Sequence, residues 1–329
     1  MKILNLNKLI LIAVLFIVSI IFSSSVDASC RYNSGLLDVQ SGNQQYQVYD
    51  DAIGGGRYVD ACNDTPDEYE ITFYKLGLCT ATTAANDLSS CQYVVNNADG
   101  VTHVIKKGTS GAMAIPEFSI DPGTYPYMVV VISNKLGIKH SFTATNSLTG
   151  VSSSAGASCW TSVAGPSAYT NESHSSVHGT TVSDGSQLIK CGAASASAPV
   201  FSYEVINILT KDNCLNPSGG ANWFPGTGDY SSFGTVGNGT AEVSLLNSSD
   251  DWATACTNSA KILWTTTLTT PYVITADSTY QLNMKTTDSV SIDFDSGVVD
   301  EEADPVVGSN NNIMKMGADP VQLYLTVTD

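Results

Sequence analysis

Beyond residue 28 the apolar side chains recur at every second position. In Tyr69-Glu70-Ile71-Thr72-Phe73 the Tyr, Ile and Phe share one face, as in a strand buried on one side. Phe201, Tyr203, Val205 and Leu209 alternate with Ser202 and Glu204, and Val243 and Leu245 with Ser244. Ile262, Trp264 and Leu268 line one face of a Thr-rich run, where Trp264 is expected in the core. Tyr280, Leu282 and Met284, then Val290, Ile292 and Phe294, then Val321, Leu323, Leu325 and Val327 repeat the pattern. Tyr127–Ile132 is unbroken apolar sequence, which predicts a strand covered on both faces.

Turn chemistry separates these segments. Asp121-Pro122-Gly123-Thr124 precedes the apolar run, with Pro fixing one corner and Gly accepting the next. Asn134-Lys135-Leu136-Gly137 is expected to turn the chain into Ile138–Thr143 as a hairpin. The unit Ile120–Phe142 resembles the turn-and-strand pattern of many extracellular β-sandwich modules. A short helix is expected over Asp250–Ala260, capped by Ser249 or Asp250. Ser152–Gly185 and Gly192–Pro199 read as loop and linker.

The pattern predicts an all-β fold: an antiparallel β-sandwich, Ig-like or jelly-roll-like, stapled by disulfides. It is expected as two consecutive domains, 29–195 and 196–329, or as one large interleaved sandwich. Residues 29–56 form a possible N-terminal arm. Within it Gln45–Tyr49 is strand-like, and Tyr46 and Val48 are its candidate donor-strand anchors, with Gly54–Gly56 as a swivel.

The first 28 residues change the compartment. Lys2 and Lys8 precede or flank an apolar run, Leu9–Phe22, and Val26-Asp27-Ala28 has small residues at the cleavage positions. This is expected to be a signal peptide, residues 1–28, cut after Ala28. The run is short for a membrane span. The eight cysteines, Cys30, Cys62, Cys79, Cys91, Cys159, Cys191, Cys214 and Cys256, all lie beyond it. In an exported chain they predict disulfides. Pairing neighbours is simplest: Cys30–Cys62, Cys79–Cys91, Cys159–Cys191 and Cys214–Cys256. The absence of any C-x-x-C pair argues against zinc.

Composition narrows the partners. The 31 acidic residues against 14 basic ones give a formal charge of -17, which repels phosphate backbones, so nucleic acid is not an expected partner. No membrane span is expected after signal cleavage. Only 14% of residues are charged and 43% are hydrophobic, the balance of a folded chain rather than a disordered one.

Catalytic patterns are sparse. There is no G-x-S-x-G and no Walker sequence. His174 and His178 stand four apart in a Ser/Gly-rich loop without the Glu of a zincin. His103 and His140 read as surface or half-buried. Asp293, Asp295 and Asp300, with Gly297 between them, are the candidate calcium ligands, because crowded carboxylates near a glycine turn suit a hard cation. No other cofactor is expected. Trp223, in the Gly/Asn/Pro loop 216–229, is the candidate glycan platform. Asn63, Asn171, Asn238 and Asn247 each begin an Asn-x-Ser/Thr sequence.

The expected function is therefore that of a non-enzymatic, secreted, cell-surface structural subunit. It would form a homopolymeric extracellular filament, pilus-like fibre (fimbrium) or surface layer through strand-edge or arm exchange. A lectin-like adhesin is the alternative, and a secreted hydrolase comes third.

Overall fold

The computed structural model describes residues 29–42, 45–50, 57–59, 61–83, 87–109, 112–113, 120–150, 155–162, 188–193, 198–205, 235–236, 239–253, 259–294, 313–318 and 321–328. These are built from strands and connecting turns, with no helix among them.

The main element is an eight-stranded sheet. Its order is β14 (Ser202–Val205), β10 (Lys135–Lys139), β7 (Glu68–Cys79), β9 (Gly123–Ser133), β17 (Lys261–Ile274), β16 (Gly239–Leu246) and β15 (Thr235–Val236). The eighth strand, β8 (Cys91–Lys106), pairs with the opposite edge of β7. A second sheet orders β1 (Tyr32–Asn33), β2 (Leu36–Leu37), β11 (Ser141–Thr149), β12 (Ala155–Ser162) and β13 (Leu188–Gly192). Three small sheets complete the set. They are β3 (Val39–Gly42), β4 (Gln45–Asp50) and β5 (Arg57–Val59); β6 (Ala61–Asp64), β19 (Val290–Phe294) and β20 (Ile313–Ala318); and β18 (Thr279–Lys285) with β21 (Gln322–Thr328). Strand pairing crosses residue 195: β9 pairs with β17, β10 with β14 and β6 with β19.

The central sheet is covered on both faces, as the apolar run of β9 requires. Met128, Val130 and Ile132 join the main core with Tyr69, Ile71, Phe73, Ile262 and Trp264. Val129 and Val131 point the other way, into a smaller cluster with Cys79, Leu246 and Leu263. Residues from all five sheets enter the main core, including Val39, Leu148, Ile189, Ile292 and Leu323.

Four local expectations change. Asn134–Gly137 is not a hairpin turn. β9 and β10 run one after the other along the same edge of β7, with Ile132 opposite Phe73 and Gly137 opposite Glu70. Asn134 is buried and tied sideways, its Nδ2 donating to the Ser259 carbonyl at 3.2 Å, so the chain bends and continues. Gly137 is needed because the Tyr203 ring lies over it: a Cβ there would meet Cε1 at 2.8 Å. Second, Ala155–Ser162, inside the expected loop, is strand β12. Its small residues permit close approach to β13, where Cys159 stands opposite Cys191.

Third, the expected helix does not begin at Asp250. Asn247–Asp250 is a turn, Asp250 has φ 67°, and Trp252 forms a bridge to Leu246. Residues 254–258 lie outside the described residues. Fourth, β14 is inverted relative to its alternation. Ser202 is the buried residue, while Phe201 and Tyr203 are half-exposed under the ammonium groups of Lys139 (4.8 Å) and Lys135 (4.3 Å). The lysine stems and the bare backbone of Gly137 offer those rings apolar cover outside the core.

Candidate functional site

Among the described residues three disulfides are present, Cys30–Cys62, Cys79–Cys91 and Cys159–Cys191, each joining cysteines that neighbour one another in sequence. Such bridges match an oxidising, extracellular-type compartment. Two of them cross directly opposed positions of antiparallel pairs, β7–β8 and β12–β13. Cys214 and Cys256 lie outside the described residues, as do Asp295, Asp300 and Trp223. Asp293 is in β19, opposite Lys315 of β20 and Ala61 of β6. No cluster of three or more metal-ligating side chains occurs among the described residues, and no described helix is long and apolar enough to cross a membrane.

Tyr46 and Val48 lie in β4, which is paired on both edges within its own chain. Tyr46 stands opposite Ser41, and Val48 opposite both Val39 and Val59. Val48 is thus flanked by strands of its own chain on both sides, and Tyr46 on the β3 side.

A connected polar group lies where the chain passes from the large sheet to the five-stranded one. Leu136, Ile138, His140, Phe142 and Ala144 form an unbroken inward alternation through β10 and β11. His140 occupies its middle and is fully buried, not surface or half-buried as its polarity suggested. The alternation itself carried the signal. Its Nε2 lies 3.3 Å from Oδ2 of Asp64 on β6, within ion-pair distance, but neither ring nitrogen has a hydrogen-bond partner among the described residues. The Tyr32 hydroxyl, on β1, donates to the same carboxylate oxygen, and the Thr65 amide donates to Oδ1 at 2.6 Å.

Burial alone would raise the pKa of Asp64; the nearby His140, with the bonds from Tyr32 and Thr65, outweighs it and holds the carboxyl below its ordinary range. Burial, then the Asp64 carboxylate, pushes the Tyr32 phenol far above its usual value. A general base must reach a substrate, and His140 has no exposed surface. The group joins β1, β6 and the β10–β11 corner.

A second charged group sits beside the smaller hydrophobic cluster. Asp250 accepts from Lys261 Nζ at 2.6 Å and Lys75 Nζ at 2.7 Å, and Lys261 Nζ also lies 4.3 Å from the centroid of the Tyr74 ring. Burial would raise the Asp250 carboxyl, but bonds from Lys261 and Lys75 and the charges of both hold it below its ordinary range. The two ammonium groups on one carboxylate tie the 247–250 turn to β7 and β17.

The third feature is main-chain. β8 pairs with β7 on one side, and among the described residues no strand pairs with its other side. A bulge, Asn97–Gly100 opposite Tyr74, divides it into segments 91–96 and 101–106. Gly100 has φ 79°, which a side chain would strain, and the Asp99 amide bonds Asn97 Oδ1 at 2.9 Å. The polar sequence Asn96–Gly100 had hidden β8 from its alternation pattern.

Comparison with protein-family models, curated proteins and solved structures found no match to the chain.

Proposed function

We propose that the protein is an exported, non-enzymatic structural subunit that assembles with further copies of itself by strand pairing at an open sheet edge. The layering we propose is a β-sandwich, with the eight-stranded and five-stranded sheets packed face to face. Their shared core residues support it, among them Phe73 and Ile132 from one and Phe142, Leu148 and Ile189 from the other.

The observation that carries the assembly reading is that, among the described residues, no strand pairs with the outer side of β8. A row of main-chain donors and acceptors on a sheet edge is a template for another strand. Segment 101–106 is of ordinary strand length and carries one fixed charge, Lys106. Val101 stands opposite the fully buried Phe73 yet remains 39% exposed. Its side chain overhangs the end of the core, where a neighbouring strand would cover it. The net charge of -17 opposes contact between copies, so assembly should strengthen as salt screens that repulsion.

The test is sedimentation and negative-stain imaging of the purified protein against Val101→Lys. Lysine on an edge strand opposes further pairing, and an exposed position tolerates it within about 0.5 kcal/mol. Wild-type protein should form high-mass polymer, and the variant should remain monomeric with an unchanged melting temperature. Wild-type protein that stays monomeric at high concentration and at raised salt would reject the proposal.

A further inference from the structure

We propose that Asn247 is an acceptor for N-linked glycan. The reading rests on export of the chain and goes beyond self-assembly. Of the four Asn-x-Ser/Thr sequences, Asn171 and Asn238 lie outside the described residues. Asn63 is in β6, opposite Ser291 of β19 and bridged on the other side by Ser29. A glycan there would stand on a segment enclosed by pairing and beside the Cys30–Cys62 bridge.

Asn247 is placed differently. It directly follows β16 and opens a surface turn in which Ser248 and Ser249 are exposed. Its Oδ1 accepts from the Ser249 amide at 2.8 Å and the Asp251 amide at 3.1 Å. Its own amide donates to the Asp251 carbonyl at 2.8 Å. This is an Asx-turn, in which the side chain mimics a backbone turn. The carboxamide oxygen is pinned inward by two main-chain donors, and Nδ2 has no hydrogen-bond partner among the described residues. The sequence motif, the exposed turn and the unengaged nitrogen coincide at this one described position. Surface loops of secreted proteins are where such acceptors are used.

The chemistry needs a lipid-diphosphate-linked oligosaccharide, the donor of a secretory lumen, and its transferase. Nδ2 forms a bond to C1 of the first sugar. The bond from C1 to the diphosphate oxygen breaks, and the lipid diphosphate leaves with the electron pair. The amide proton passes to a base of the transferase. Oδ1 is not consumed, so both turn hydrogen bonds survive the modification.

The experiment expresses the full chain in a eukaryotic secretory host and maps its peptides by mass spectrometry before and after peptide N-glycosidase. The peptide bearing Asn247 should carry glycan and should return from the digest as Asp. Ser249→Ala should abolish that signal. It removes the motif hydroxyl but keeps the amide that bonds Asn247, so the turn and the fold persist. Asn247→Gln is the second variant and should lose the same glycan. Recovery of the Asn247 peptide wholly unmodified overturns the assignment, whether the chain is in the medium or retained. If that unmodified chain is in the medium with its thiols oxidised, export stands and the site alone fails; if it is retained and reduced, export fails with it.

Discussion

The disulfides make a quantitative prediction because their loops differ in length. Cys79–Cys91 spans 12 residues of sequence; Cys30–Cys62 and Cys159–Cys191 each span 32. A bridge restricts the unfolded chain more when its loop is longer. In the chain-entropy account the 12-residue loop is worth about 2.8 kcal/mol and each 32-residue loop about 3.7 kcal/mol. The difference, about 0.9 kcal/mol, follows from the logarithm of the loop lengths alone. Paired Cys→Ala replacements at each bridge remove similar volumes, so packing losses largely cancel between variants. Urea unfolding at constant pH, with equal slopes, would read the three losses directly. Removing Cys30–Cys62 and removing Cys159–Cys191 should cost the same, and each should exceed removal of Cys79–Cys91. A larger loss for the 12-residue loop, or unequal losses for the two equal ones, would refute the entropic argument. Native packing around the sulfurs would then set the stability.

Gly137→Ala should destabilise the protein by about 1–3 kcal/mol, the usual cost of overpacking, because its methyl would meet the Tyr203 ring at 2.8 Å and Glu70 Cβ at 3.1 Å. Tyr203→Ala in the same chain should remove most of that penalty, and additive losses in denaturant melts would disprove the contact. Asp250→Asn should flatten the acid limb of stability. The folded carboxyl is held below its ordinary value, so its stabilisation is complete above the unfolded value of about 3.9 and is lost as pH falls through the lower folded value. Urea midpoints from neutral pH down to acid would show it, and equal acid slopes in wild type and variant would exclude this role.

Much of the local structure was legible in the chain, because a strand with one covered face must alternate. Tyr69, Ile71 and Phe73 are each buried on the core face, and the continuous run through Ile132 is covered on both. Proximity in sequence also indicated the three observed disulfides, since each joins neighbouring cysteines. The candidate site was less legible. Its signal was present at His140, within five alternating inward positions, but the imidazole's polarity argued for the surface. Its partners Asp64 and Tyr32 are 76 and 108 positions away, and no local pattern marks such a meeting.

What the chain alone determined is the strand character of its alternating segments and the pairing of neighbouring cysteines, because both depend on residues close together in sequence. Which strands meet was decided by the tertiary structure. β9 finds β17 more than a hundred residues away, and a main-chain edge accepts any strand of suitable length, so side-chain pattern does not name the partner. The same holds where pattern misled. Asn134–Gly137 carries turn residues, yet Ser259 and the edge of β7 hold the chain extended. Tyr203 alternates like a core residue, yet Gly137 and Lys135 supply its cover outside the core. Long-range contact overrides local preference at these points because burial and main-chain pairing together exceed the few tenths to one kcal/mol, roughly, at stake in propensity.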